Sequence, residues 1–117
     1  MIIVYKRDKT LYTVIKNNFD EEDFEKLYVT LQDHIKNHTK TSWYVEMEDI
    51  KYLTKSVLNK ITIFKFSREE HLKNVAFVGK VKWQEQFTEL LKPFTKAQIK
   101  LFRDNEKASA KEWIINA

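Results

Sequence analysis

The stretch Val75-Ala76-Phe77-Val78-Gly79 decides the fold class of this chain. It is a short apolar run without a charged residue, and it ends at the only glycine among the 117 residues. Such runs are typical of strands that are buried on both faces, as the strands of parallel sheets are. We therefore predict a buried parallel strand here. The chain then turns into a helix that ends before Pro93 and carries Trp83, Phe87, Leu90 and Leu91.

Helices and strands alternate on both sides of this stretch. Downstream, Ile99, Leu101 and Phe102 indicate a last strand, and residues 106–115 a final helix with Ala108, Trp113 and Ile114 available for packing. Upstream, residues 43–47 indicate a strand that should be central, followed by the acidic turn Glu48-Asp49. Residues 54–66 then form a predicted helix whose apolar positions cover more than one face, so we expect it to be buried on two sides.

The first third of the chain predicts a hairpin and an amphipathic helix. Residues 2–5 and 10–16 are rich in β-branched and aromatic residues and are separated by a polar segment, as in two antiparallel strands. Asp20 should cap a helix with acids in its first turn. The apolar face of that helix comprises Phe24, Leu27, Tyr28, Leu31 and Ile35. The sequence therefore predicts an α/β fold: one domain, residues 1–117, with a mixed, partly parallel sheet of about five strands and about four helices.

Composition excludes several classes of site. The chain has no cysteine, which excludes thiol nucleophiles, CxxC redox pairs and cysteine-based zinc sites. With a single glycine it also lacks the glycine-rich cradles that hold nucleotide phosphates. We expect no cofactor.

Net charge and hydropathy bear on partners and location. The formal charge is +4, but the cations are mostly lysines that alternate with acids, and only three arginines are present, so we expect no nucleic-acid partner. No run of about 18 apolar residues exists, so we expect no integral membrane segment. The apolar run at the start is too short for a signal peptide, and we expect a cytoplasmic location.

Histidines and carboxylates are the candidates for metal or acid–base chemistry. His34 and His38 have the i, i+4 spacing of a metal pair, but Ile35 stands where a zincin carries glutamate. We therefore expect surface histidines at a helix end and no metal site, and a loop histidine at His71. Glu46 and Glu48 should share one face at the end of a strand, beside Asp49. These carboxylates could catalyse acid–base steps or bind a cation, or they could form an acidic turn that faces solvent.

Catalysis by these carboxylates requires a cleft and at least one raised pKa. No Ser-His-acid spacing or nucleophile elbow accompanies them, so we assign no catalytic residue and predict that the chain is not an enzyme. Aromatic residues offer a different site. Two interpretations stay open for one set of aromatic residues, which can belong to the plain core or line an apolar pocket: Phe64, Phe66, Trp83, Phe87 and Phe94. The core alone does not explain the excess of apolar residues in 54–66, which predicts a cavity or a partner surface there.

Several of these segments also carry a family resemblance. The stretch from Val75 to Gly79, then Lys82-Trp83, Lys92-Pro93-Phe94 and residues 97–102, resembles the SpoIIAA-like family of small bacterial proteins. That family is grouped with the STAS superfamily and compared with the CRAL-TRIO lipid-binding domains. The likeness covers nearly the whole chain. The resemblance implies a homodimer in which each chain has a mixed sheet surrounded by helices. It says more about the fold than about the function, since most members have no assigned activity.

The better understood STAS relatives are anti-sigma-factor antagonists that are switched by phosphorylation of a serine. Laid on this sequence, the resemblance places Ser56 at the phosphorylated position. The aspartate and the glycine of the family's turn are missing, so the turn is degenerate. A phosphate there would lie at the start of a helix, where the helix dipole favours it.

Two hypotheses on function follow. The first is a non-enzymatic binding or regulatory module that holds an apolar or lipid-like small molecule beside the 54–66 helix. The second is a homodimeric protein-interaction domain related to the anti-sigma-factor antagonists. An enclosed apolar cavity under residues 54–66 would favour the first. Loss of a protein partner in a Phe64→Asp variant would favour the second.

Overall fold

The fold is built on one five-stranded sheet, seen in a computed structural model that describes residues 1–37, 40–50, 72–81, 85 and 97–117. The strands lie side by side in chain order, from one edge of the sheet to the other. The first pair is antiparallel and the other three pairs are parallel, so the sheet is mixed, as predicted. The strands are β1 (Ile2–Arg7), β2 (Thr10–Lys16), β3 (Thr41–Glu48), β4 (Leu72–Val78) and β5 (Gln98–Phe102).

The hairpin between β1 and β2 closes through a loop of only two residues, Asp8 and Lys9. Arg7 pairs with Thr10 directly across it. Asp8 has a φ of 56°, in the left-handed region that aspartate tolerates better than most residues do. The hairpin prediction is confirmed, and its tight loop sets the register of β1 against β2.

Helix α1 (Glu21–Lys36) follows the hairpin and begins as the sequence predicts. The Asp20 carboxylate accepts a 2.9 Å hydrogen bond from the Asp23 backbone N–H, and the Asp23 carboxylate accepts one from the Asp20 N–H, which together form a capping box. The hydrogen bonds of its carboxylate lower the pKa of Asp20, that of the Asp23 N–H most of all. Phe24, Leu27 and Leu31 are buried against the sheet.

Residues of the strands alternate between the two faces of the sheet. The face that contacts α1, here called the α1 face, is an apolar core that includes Leu11, Ile15, Trp43, Val45, Val75 and Phe77. The opposite face contacts the C-terminal helix α2 (Lys107–Asn116), which follows a short 3-10 turn, Asp104–Glu106. This α2 face includes Tyr12, Tyr44, Ala76, Val78 and Phe102.

The predicted buried strand at residues 75–78 is confirmed within β4. Val75, Ala76, Phe77 and Val78 are each 0% exposed, because β4 has a strand on either side and a helix over the α2 face. Gly79 follows at a close approach, since a Cβ there would lie 3.0 Å from the Phe77 ring. A larger residue at position 79 would need the buried Phe77 ring to shift by a few tenths of an ångström, whereas the φ of Gly79 is not positive and puts no further demand on the residue type.

Two of the predicted helices fall within the described part of the chain, and they are α1 and α2. In α2 the packing residues are Ala110 and Ile114, with Trp113 partly buried, whereas Ala108 is exposed, so the expected role of Ala108 is wrong. The predicted helix 54–66 and the body of the predicted Trp83 helix lie outside the described residues.

Candidate functional site at the carboxyl end of the central strand

A cluster of charged side chains lies where β3 ends, on the α2 face. Tyr44, Glu46 and Glu48 are alternate residues of β3, so all three point to the same side of the sheet. Lys107, the first residue of α2, reaches both glutamates: its Nζ lies 3.3 Å from Glu46 Oε2 and in hydrogen-bond contact with Glu48 Oε1. The cluster therefore joins the start of the C-terminal helix to the end of the central strand.

Glu46 is the most buried carboxylate of the cluster. Its side chain is 7% exposed, and the Tyr44 hydroxyl donates a 2.6 Å hydrogen bond to its Oε1. Burial, and next the Glu46 carboxylate, raise the pKa of Tyr44 well above its usual range. Tyr44 therefore stays a neutral donor at any physiological pH, and both oxygens of Glu46 have a partner.

Glu48 is paired from two sides. Besides Lys107, the Nζ of Lys16 lies 3.5 Å from Glu48 Oε2, because Lys16 is the residue of β2 directly beside Glu48 in the parallel ladder. A hydrogen bond with the Glu46 carboxyl, followed by the one from Lys107, lowers the pKa of Glu48 to about 2. Glu48 in turn raises the pKa of Lys107. Both groups of this pair therefore keep their charges across the physiological range.

A cavity of about 270 Å³ adjoins this cluster. Its size is at the lower end for pockets that enclose small molecules, so it suits one end of a ligand better than a whole one. Asp49 turns the chain at its rim with a φ of 54°. The lining combines apolar residues with charges of both signs: Met47, Glu48, Asp49, Ile50, Lys80, Asp104 and Lys107.

The cluster can bind and position polar or charged groups. A general acid at neutral pH needs a carboxyl pKa raised towards 7, whereas the pKa of Glu48 is lowered. In the part of the chain that the structure describes, no three His, Asp or Glu side chains are arranged to hold a metal ion. The interpretation as a solvent-facing acidic turn is also wrong for Glu46, which is buried.

Comparison with known proteins agrees with this architecture. A family model described as SpoIIAA-like matches residues 10–115. The chain belongs to the SpoIIAA-like family. Among solved structures it is similar to a protein of the DUF3478 family from Shewanella loihica PV-4, described as uncharacterized and as having a SpoIIAA-like fold. That match has a TM-score of 0.65 at 18% identity and covers 97% of this chain and 92% of the other. No curated protein matches.

The SpoIIAA-like fold predicted from the sequence is thus confirmed. The residues predicted for its sites are not tested, because they lie outside the described part of the chain; they are Ser56, Phe64, Phe66, Trp83, Phe87 and Phe94. His38 and His71 lie outside it as well. Neither α1 nor α2 of this SpoIIAA-like chain is long and apolar enough to cross a membrane.

One histidine prediction is wrong. His34 is 0% exposed, and its Nε2 lies 3.0 Å from the carbonyl oxygen of Lys9 in the hairpin loop. His34 follows Leu31 by three residues and Leu27 by seven, which places it on the side of α1 that carries the apolar stripe. His34 therefore ties α1 to the hairpin instead of lying on the surface.

Sequence reasoning found Glu46 and Glu48 but missed their partners Tyr44, Lys107 and Lys16. The alternation of residues along a strand is the signal that places Tyr44 beside Glu46. The parallel pairing of β2 with β3 would have indicated Lys16. Lys107 is 59 residues from Glu48 in the chain, and no local sequence pattern predicts a contact between them.

Proposed function

We propose that this SpoIIAA-like chain is a non-enzymatic binding or regulatory module, folded as a single domain of residues 1–117. The proposal rests on the hydrogen bonds and ion pairs of the two carboxylates at the end of β3. Glu46 and Glu48 are engaged by Tyr44, Lys107 and Lys16. Paired in this way the two side chains hold a surface in place, and the lowered pKa of Glu48 is the opposite of what a general acid at neutral pH needs.

The ligand we propose is an amphipathic small molecule. Its polar end would lie in the cavity between β3 and the start of α2, where Lys80 and Asp104 offer charges of both signs beside the apolar side chains of Met47 and Ile50. Its apolar part would lie beside residues 54–66, against the aromatic side chains predicted there. The cavity supports this placement because Ile50 lines it, directly before the segment that leads to residue 54.

Native mass spectrometry of the protein, purified gently from its own cells, tests the proposal, together with organic extraction of what co-purifies. We expect a protein species carrying an added small-molecule mass, and the same molecule in the extract. A protein that carries no added mass, with an empty extract, would overturn binding of a small molecule.

A pair of charge reversals tests the placement of the ligand. Lys80→Glu changes the charge of the cavity wall, and Lys73→Glu makes the same change on an exposed lysine near the amino end of β4. We expect the occupancy of the added mass to fall several-fold in Lys80→Glu only. Equal occupancy in the two variants would show that the ligand lies elsewhere.

The alternative function is a homodimeric interaction domain related to the anti-sigma-factor antagonists, acting in the cytoplasm. Family membership supports a regulatory role of this kind. Phosphorylation at Ser56 remains a prediction, and intact-mass measurement of the same purified protein, with a Ser56→Ala variant as control, tests it. A phosphate mass that persists in Ser56→Ala, or its absence from the native protein, would count against that switch.

A further inference from the structure

The outer edge of β1 is exposed and apolar along most of its length. Among the described residues no segment pairs with that edge. The strand has six residues, Ile2–Arg7, without proline, glycine or a bulge. On the α2 face, Ile3 and Tyr5 are each 44% exposed. Edge strands of this kind are templates for pairing with another strand, and most proteins protect them with charges or irregularities.

The opposite edge of the sheet shows such protection. Of the exposed side chains of β5, Gln98 is polar, Lys100 in the middle of the strand is charged, and Leu101 is apolar and 40% exposed. The Nζ of Lys100 lies 5.4 Å from the centre of the Phe102 ring and 5.7 Å from that of Trp113. The β5 edge thus carries a positive charge at its centre, which opposes pairing with another strand. The charged residues of β1, Lys6 and Arg7, lie at one end of that strand.

The hydrogen bonds of the hairpin show which backbone groups of β1 point outward. The Lys16 N–H donates to the Met1 carbonyl at 2.9 Å, and the Met1 amino group donates to the Lys16 carbonyl at 3.2 Å. In an antiparallel pair such reciprocal bonds recur at every second residue. Residues 1, 3, 5 and 7 therefore bond to β2, and the N–H and C=O groups of Ile2, Val4 and Lys6 face the open edge.

Tyr5 is held in position by a row of aromatic rings. Its ring stacks on Tyr12 with centroids 4.9 Å apart and planes at 5°, and Tyr12 contacts Tyr44 at 5.5 Å. The row runs from the buried Tyr44 on β3 to the exposed Tyr5 at the sheet edge. An exposed ring that is already ordered loses little side-chain entropy when a partner covers it.

We propose that β1 pairs in antiparallel fashion with β1 of a second copy of this chain, around a two-fold axis at Val4. Outward-facing residues must lie opposite outward-facing residues, which restricts the pairing to a few registers. The register centred on Val4 overlaps the two strands furthest, with Ile2 opposite Lys6 of the second copy. On the α2 face it places each Tyr5 opposite an Ile3, an aromatic and β-branched pair of the kind that stabilises sheets.

Charge distinguishes antiparallel from parallel pairing. The cationic end of β1 carries Arg7 and also Lys6, whose Nζ lies 3.2 Å from Asp33 Oδ2 of its own α1. The other end lies by the acidic first turn of α1, where the Met1 amino group is 3.3 Å from Asp23 Oδ2. Antiparallel pairing brings the cations of one copy to the acidic turn of the other, twice. Parallel pairing would place the two cationic ends side by side, which costs energy.

The proposed interface is small. A six-residue strand with the flanking first turn of α1 falls below the roughly 1,600 Å² buried in a standard stable complex. The dimer is therefore weak and depends on protein concentration. This inference does not depend on the small-molecule ligand proposed above, because the β1 edge and the cavity involve different residues.

Sedimentation velocity over a concentration series tests the dimer. We expect the sedimentation coefficient of the full chain to rise from the monomer to the dimer value, and the association to weaken in high salt as the charge contacts are screened. A monomer up to millimolar concentration would overturn the proposal. Association that is unchanged or strengthened by salt would overturn the charge pairing that selects the register.

Two variants locate the interface, with a matched control. Val4→Pro removes an outward N–H and leaves the hydrogen bonds to β2 intact. Tyr5→Lys replaces the exposed ring with a charge and keeps the backbone unchanged. It therefore tests the interface even if Val4→Pro fails to fold. We expect each to weaken association at least about tenfold. Val29→Lys, on an exposed residue of α1, should associate like the native chain.

Single cysteines report the register, because the native chain has none. In the proposed pairing Val4 lies directly opposite its own copy, whereas Lys6 lies opposite Ile2. We expect Val4→Cys to be linked into covalent dimers by a short bifunctional thiol reagent, and Lys6→Cys to be linked far less. Equal linking of both, or association that survives Val4→Pro and Tyr5→Lys together, would overturn the proposed interface.

Discussion

The two faces of the sheet are built from the same strands but from different chemistry. On the α1 face, Leu11, Trp43 and Phe77 form an apolar layer, and a buried polar group there, the Trp43 indole N–H, donates to the Thr13 hydroxyl at 3.1 Å. On the α2 face, β3 presents a tyrosine and two glutamates to a helix that begins with lysine. The alternation of residues along each strand keeps these two environments apart.

Stability and function depend on different faces of this sheet. The α1 face gains its free energy from apolar area, which is non-directional and tolerates only volume-conserving changes. The α2 face depends on hydrogen bonds and ion pairs that fix the position of α2 and of the cavity beside it. Substitutions on the α1 face should therefore lower stability most, and those on the α2 face should act more weakly.

The largest effect is expected from Leu31→Ala in α1. Leu31 is 0% exposed, and its truncation removes apolar contacts and leaves a cavity under the helix. We expect the free energy of unfolding to fall by about 2–5 kcal/mol, measured by urea denaturation. Val29→Ala, two residues earlier and 62% exposed, is the control and should change it by less than about 0.5 kcal/mol. Similar losses in both variants would contradict the apolar α1 face.

Lys107→Met should have the next largest effect. It leaves the buried Glu46 carboxylate and its neighbour Glu48 without their shared cation. Removing one partner of a fully buried pair costs about 3–5 kcal/mol, but the Lys107 side chain is 41% exposed, so we expect a loss of about 1–3 kcal/mol. Lys107→Arg keeps the charge and should recover most of that loss. A fully stable Lys107→Met would show that α2 does not depend on the cluster.

A smaller loss is expected from Tyr44→Phe. The change removes the hydroxyl that donates to Glu46 and keeps the ring in the aromatic row. Since Glu46 retains Lys107, we expect a loss of about 1–2 kcal/mol in chemical denaturation. Tyr5→Phe removes an exposed hydroxyl and serves as the control, with a change close to zero. Equal effects of the two substitutions would mean that the bond to Glu46 contributes nothing measurable.

The same contrast explains what the sequence could predict. Apolar periodicity located α1 and α2, because burial of one face leaves a regular pattern in a helix. Short apolar runs located β3, β4 and β5, because strands inside a parallel sheet are buried on both faces. Strand alternation also predicted correctly that Glu46 and Glu48 share a face. These features need only local information.

The rest of the site depends on contacts between distant segments. Lys107 meets Glu48 only because α2 packs across the α2 face, and Lys16 does so only because β2 runs parallel to β3. The prediction that His34 lies on the surface is wrong because histidine is usually exposed, whereas this position of α1 lies next to the apolar stripe. Its burial depends on the hairpin loop, where the Lys9 carbonyl supplies a partner.

The smallest effect concerns Glu48 and acid. Its pKa is about 2 in the folded chain and ordinarily 4.5, so its pairing stabilises the fold fully above pH 4.5 and less and less as the pH falls towards 2. The side chain is 26% exposed, which screens the pairing and limits its contribution to about 1 kcal/mol. Unfolding free energies measured from pH 7 to 2 should therefore fall less steeply below pH 4.5 for Glu48→Gln than for the native chain. If the unfolding free energies of Glu48→Gln and of the native chain fall equally with pH, the acid sensitivity comes from other carboxylates. One of these is the helix cap Asp20, whose pKa is also lowered.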